Sequence, residues 1–143
     1  MLRLLFCLVL QQRKTKEMNV SFSNHSKIIA PHSKKNEIRK FYSEVLQAKI
    51  TKQTNTMDYF KIEDFFLSVI YDNTALSDEL LLKSIWLEIK TDEPEKLKQS
   101  ILGFGAKEVK LPMPHGIQFF FQAPGGQVFR VISTTEDMSR FEG

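Results

Sequence analysis

The chain has 143 residues, 42% hydrophobic and 26% charged, a composition typical of soluble globular proteins: enough for one domain with a real core, too little for two independent ones. No apolar run approaches the roughly 20 residues of a membrane span, so no membrane partner is expected. The formal net charge of +3 sits in residues 1–17, where Arg3, Arg13, Lys14 and Lys16 face only Glu17; from Met18 onward 16 basic and 16 acidic residues cancel, and no nucleic-acid partner is expected.

In chain order, the first segment has a short apolar run, residues 4–10, between Arg3 and the polar stretch Gln11, Gln12, Arg13, Lys14. It resembles half of a signal peptide, but the run is too short to span a bilayer and no small-x-small cleavage site follows. Residues 1–25 are therefore expected to be a disordered N-terminal extension, with secretion or membrane anchoring as the alternative. Cys7 is the only cysteine. No internal disulfide can form, and a cytoplasmic location fits.

Residues 27–30 read as a short apolar strand, followed by Pro31 and by Ser33 as a helix N-cap. Ile38, Phe41, Tyr42, Val45 and Leu46 fall at i, i+3, i+4, i+7 and i+8, which predicts a helix with one buried face that stops near Gln47. Strands are expected at 49–53, 57–62 and 65–71, the last two joined by a tight turn at Glu63 and Asp64. Residues 72–82, rich in Asp, Glu, Asn and Ser, read as a link.

The order then repeats. Residues 83–89 alternate, with Ile85, Leu87 and Ile89 on one side and Ser84, Trp86 and Glu88 on the other, as a half-buried strand does. Asp92 and Glu95 have the spacing of a capping box with Pro94 in the first turn, Leu97 and Ile101 form the buried stripe, and Gly103 or Gly105 ends the helix. Strands follow at 106–111, 117–122 and 127–133, the last pair turning at Pro124, Gly125 and Gly126. Lys27 and Ser84, Phe41 and Leu97, and Ala48 and Ala106 are 57, 56 and 58 positions apart. A duplicated βαβββ unit is the simplest reading: one domain over 26–135, with modules 26–71 and 83–133 and a tail 136–143.

Two segments carry a family resemblance. Ile38 to Leu46, with the pair Phe41-Tyr42 ahead of Leu46, is similar to the first helix of the vicinal oxygen chelate superfamily, which includes glyoxalase I, bleomycin-resistance proteins and extradiol dioxygenases. Phe119 to Val128, with Ala123-Pro124-Gly125-Gly126, is similar to its final hairpin. The resemblance spans residues 26–133 and implies an α+β fold in which the curved mixed sheets of two βαβββ modules form a shared cleft, often completed in a homodimer. It also implies a His on the first strand of a module and a Glu on its last strand, converging on a divalent metal ion such as Zn, Ni, Fe or Mn that polarises substrate oxygens.

Counting from these motifs, the implied metal positions hold Lys27, Ser68, Ser84 and Arg130. None is a good ligand, and a divalent cation beside an ammonium and a guanidinium meets a repulsion on the order of several kcal/mol. The cleft would be lined by Lys27, Phe66, Ser68, Ser84, Trp86, Glu88, Gln118, Phe120 and Arg130: aromatic walls with a few polar groups, suited to an anionic or aromatic small molecule. The plainer alternative is that Trp86 and Phe120 fill a closed core.

Three functions remain open at this point. The first is metal-independent binding of a small molecule, as in bleomycin-resistance proteins, with no cofactor. The second is a metal-dependent lyase or dioxygenase with displaced ligands, His25 and Glu88 being candidates and His32 and His115 the remaining histidines. The third is a metal-free isomerase or lyase with Glu88 as base and Arg130 as oxyanion clamp. Glu88 can equally pair with Arg130 as a structural ion pair.

Overall fold

Period-two alternation of side chains builds two sheets whose apolar sides share one core. The structure is a computed structural model that describes residues 18–110 and 118–143. Strands β1 (His25–Ala30), β2 (Lys49–Gln53), β3 (Met57–Ile62) and β4 (Phe65–Tyr71) form a four-stranded sheet in the order β1-β4-β3-β2. Strands β5 (Trp86–Thr91), β6 (Lys107–Val109), β7 (Phe119–Gln122) and β8 (Val128–Ser133) form a second in the matching order β5-β8-β7-β6. In each sheet the first and last strands are parallel and the other neighbours antiparallel. Helix α1 (Lys35–Lys40) joins β1 to β2, α2 (Asp78–Leu81) lies in the link, and α3 (Pro94–Phe104) joins β5 to β6. The fold is α+β, with the predicted βαβββ unit present twice.

Helix α1 does not stop at Lys40 but widens into a π turn, Phe41–Val45. Leu46 N donates to Phe41 O and Ala48 N to Tyr42 O, and Gln47 takes a φ of 56° to end the helix. The wider turn holds two large rings side by side. Tyr42 packs on Phe60 of the first sheet at 5.0 Å and on Phe129 of the second at 6.3 Å, while Phe41 meets Phe121 at 5.7 Å and Phe104 of α3 at 5.3 Å. Ile28, Leu67 and Val69 from one sheet and Leu87, Ile89 and Val131 from the other complete this core. Burial of such side chains is worth roughly 1.5–3 kcal/mol each.

Three local expectations are corrected. The predicted strand 83–89 begins only at Trp86, because Ser77 caps α2 and the backbone bonds Lys83 N to Leu80 O and Ser84 N to Leu81 O keep residues 82–84 in a turn. Ser84 therefore precedes the strand. The capping box at Asp92 and Glu95 does not form: Glu93 is the N-cap of α3, its amide donates to Thr91 Oγ1, and no side chain caps the helix. Strand β1 also begins at His25, two residues ahead of the strand predicted at 27–30. Residues 1–17, with Cys7, and His115 lie outside the described residues. Among those described, no helix is long and apolar enough to cross a membrane.

One carboxylate is buried in the core. Asp58 of β3, with no exposed surface, accepts from Arg39 Nε and Nη2 at 2.8 and 2.9 Å and from the Tyr71 hydroxyl at 2.6 Å. Full pairing of this kind is what makes a buried charge tolerable. The network ties α1 to β3 and β4, and burial together with the bond to Asp58 pushes the Tyr71 phenol upward.

Candidate functional site

Of the predicted cleft residues, Lys27, Phe66, Ser68, Trp86, Glu88, Phe120 and Arg130 fall on strands, on the faces that point away from the shared core, while Ser84 precedes β5 and Gln118 precedes β7. On the first sheet the register places Lys27 beside Ser68 and His25 beside Phe66. Ser68, fully buried, has its Oγ 2.6 Å from His25 Nε2, and the His25 ring lies 6.3 Å from Phe66 and 6.5 Å from Tyr59. Lys27 is exposed and makes no hydrogen bond or ion pair among the described residues.

On the second sheet Glu88 and Arg130 are directly paired across β5 and β8. The guanidinium donates to Glu88 Oε2 at 3.2 Å and to Glu136 Oε1 from the C-terminal tail, and its Nε is buried without a partner. Arg130 is thus spent on two carboxylates and leaves a local excess of one negative charge, so it is not poised as an oxyanion clamp. Trp86 packs against Phe120 at a tilt, with ring centroids 5.3 Å apart, and its indole donates to Leu82 O at 3.1 Å. Phe120 is buried and Trp86 half-buried, so this pair packs as part of the sheet's covering.

Among the described residues, the predicted site divides between separate surfaces. Lys27 and Ser84 share a groove of about 340 Å³ between β1, the link and the start of β5, walled by Ile29, Leu76, Leu81, Ile85 and Leu87. Gln118 and Arg130 line another, of about 390 Å³, beside the N-terminus of α3. Phe66 and Ser68 stay with His25 on the open face of the first sheet. The first groove is the more apolar. Three of its wall residues are strongly exposed, Ile85 at 75%, Leu76 at 55% and Ile29 at 52%, and a concentration of exposed aliphatic surface marks a contact site.

The donors present do not fit the divalent cation that the fold resemblance implies. On the first sheet the implied positions hold an ammonium and a hydroxyl, Lys27 and Ser68; on the second, a guanidinium at Arg130 and, ahead of the strand, the hydroxyl of Ser84. The displaced-ligand candidates do not come together: His25 is held by Ser68 on one sheet and Glu88 by Arg130 on the other. Among the described residues no three of His, Cys, Asp and Glu cluster. The His25–Ser68 contact and the Glu136–Arg130 pair are missed by sequence reasoning. The first was legible in part, since His25 lies two residues from Lys27 and so shares its face; the second depends on how the tail folds back.

No protein-family model matches the sequence, and no curated protein matches it. Solved structures do match in three dimensions. The fosfomycin resistance protein FosX from Listeria monocytogenes aligns with a TM-score of 0.67 at 12% identity, over 87% of this chain and 98% of that one. A protein assigned to the glyoxalase family, from Bacillus anthracis, aligns at 0.64 and 15%, over 82% and 98%. FosX from Mesorhizobium loti aligns at 0.62 and 13%, over 88% and 100%. At these identities the likeness is one of architecture. With its two βαβββ modules in matching strand order, this chain has the vicinal oxygen chelate fold of the glyoxalase and fosfomycin resistance proteins.

Proposed function

We propose that this protein is a metal-independent small-molecule-binding protein of the glyoxalase and bleomycin-resistance type, and that its ligand is an apolar or aromatic molecule carrying an acid group. The observation that supports the reading most is the groove between β1 and β5. Lys27, whose ammonium is unpaired among the described residues, lines it together with Ser84 and the apolar Ile29, Leu76, Leu81, Ile85 and Leu87. An apolar body covers the wall, and its carboxylate takes the charge-assisted bond from Lys27. Metal independence rests on donor chemistry, since cations or hydroxyls hold the implied ligand positions.

The same reading makes the protein a cytoplasmic homodimer. Strands β1 and β5 are outermost in their sheets, and an outermost strand leaves backbone groups unpaired along one side, a surface that a second copy can cover.

A thermal-shift series with aromatic and medium-chain carboxylic acids tests the site. Stabilisation of the wild type by at least one such acid is expected, with about a tenfold weaker effect or more in Lys27→Ala. Absence of stabilisation by every acid of both classes contradicts the proposal.

A further inference from the structure

A second feature lies outside that groove. The outer face of the first sheet is a segregated basic surface that whole-chain charge conceals. The register sets Lys49 and Lys61 in one row with Phe66 and His25, and Lys52 and Tyr59 in the next row with Ser68 and Lys27, which borders the groove. The one carboxylate in these four strands, Asp58, points into the core on Arg39. Glu63 and Asp64, in the turn between β3 and β4, are the acids at the end of the face. None of the four lysines has an ion-pair partner among the described residues. The compensating acids lie elsewhere, as Asp72, Asp78 and Glu79 in the link and Glu136, Asp137 and Glu142 in the tail.

Aromatic rings stand between the lysines. Lys61 Nζ lies 5.4 Å above the Phe66 ring and Lys52 Nζ 6.0 Å above the Tyr59 ring, contacts that hold the ammonium groups down on the sheet. The exposed His25 ring sits between the two, within 6.5 Å of each. Three inter-strand steps make this array roughly 14 Å wide, the scale of one nucleotide with its phosphate chain.

We propose that this face binds a nucleoside polyphosphate, its base stacked on the His25, Tyr59 and Phe66 cluster and its phosphates on Lys49, Lys52 and Lys61. Lysine serves phosphate as a compact point charge, and an aromatic platform accepts the face of any base. Both halves of the ligand are needed: the lysines alone would accept any polyanion, and the rings alone any flat apolar molecule.

The test is titration of the full chain with a fluorescent ATP analogue at low salt, with inorganic triphosphate, adenosine and a short single-stranded oligonucleotide as competitors. Saturable binding is expected, displaced by ATP more strongly than by triphosphate or adenosine and weakened by added salt. Lys52→Glu with Lys61→Glu is expected to reduce affinity about tenfold or more; Lys107→Glu with Lys110→Glu, in and just after β6 of the other sheet, is expected to leave it unchanged. Both pairs are checked for folding by circular dichroism, and Tyr59→Leu supplies a ring-only variant that keeps the charges and lowers affinity. The proposal is overturned by absence of binding, by equal displacement with triphosphate, by equal losses in the two charge-reversed proteins, or by an oligonucleotide that competes better than ATP at equal phosphate concentration. The thermal-shift response to carboxylic acids is read independently at Lys27, so either proposal can fail while the other stands.

Discussion

Tyr42 shows how a side chain can be indispensable in shape and costly in chemistry. Its ring bridges both sheets through Phe60 and Phe129, yet its hydroxyl is buried with no hydrogen-bond partner. A buried unsatisfied hydroxyl costs about 1–3 kcal/mol. Tyr42→Phe keeps the ring, so it is expected to stabilise the fold by about 1 kcal/mol in urea unfolding at neutral pH. Burial also raises the phenol above its ordinary value near 10. The neutral form is the folded form, so its contribution is complete below about pH 10 and is lost as pH climbs toward the folded value. The advantage of Tyr42→Phe over wild type should therefore widen above about pH 10; a constant or shrinking difference contradicts the assignment. The Phe41-Tyr42 pair was legible in the sequence as part of a buried stripe. The orphaned hydroxyl was not, because periodicity reports which side a residue faces and not what its polar atom meets. The Asp58, Arg39 and Tyr71 network was illegible for the same reason: its members come from three elements, and only the sheet register brings them within bonding distance.

Among the elements, those with strong local signals had sharp edges. The strands at 49–53, 57–62 and 65–71 stand where the alternation and the Glu63-Asp64 turn placed them. The start of β5 did not, because alternation continues through Ser84 and Ile85 while the Ser77 cap winds the preceding residues into α2. The Gly125-Gly126 turn has consequences beyond its own hairpin. Both residues have positive φ, and a Cβ on Gly125 would stand 2.8 Å from Ile38 Cδ1 and 3.2 Å from Ala30 Cβ, in the first module. Gln122 reinforces the junction, its amide donating to Asp78 O and Gly126 O at 2.7 and 2.9 Å. The hairpin of the second half is thus pressed against the helix of the first. Gly125→Ala combines backbone strain with overpacking and is expected to destabilise the chain by about 1–3 kcal/mol. In urea the midpoint should fall with the slope unchanged; an unmoved midpoint means that the turn does not brace the two modules.

At the scale of the whole molecule, the duplication was the clearest message in the sequence, since two copies of one unit are the simplest reading of the matching separations of 57, 56 and 58 positions. The architecture bears this out in the two sheets of the same strand order. The site was legible only in part. Lys27, Phe66, Ser68, Trp86, Glu88 and Arg130 all face away from the shared core, as the alternation in their strands implies. Their distribution over separate grooves, and the capture of Arg130 by Glu136, depend on the path of the link and the tail. Summing charge over the chain hid the lysines of the first sheet, because the acids that balance them sit on other surfaces.

The central claim is that the groove at Lys27 and Ser84 binds its ligand through the chain's own groups, without a metal ion. The most direct measurement is calorimetric titration of a stabilising aromatic acid into protein purified without chelators, before and after dialysis against EDTA. The account predicts the same affinity in both samples and a loss in Lys27→Ala; binding that disappears on chelation and returns with a divalent metal contradicts it.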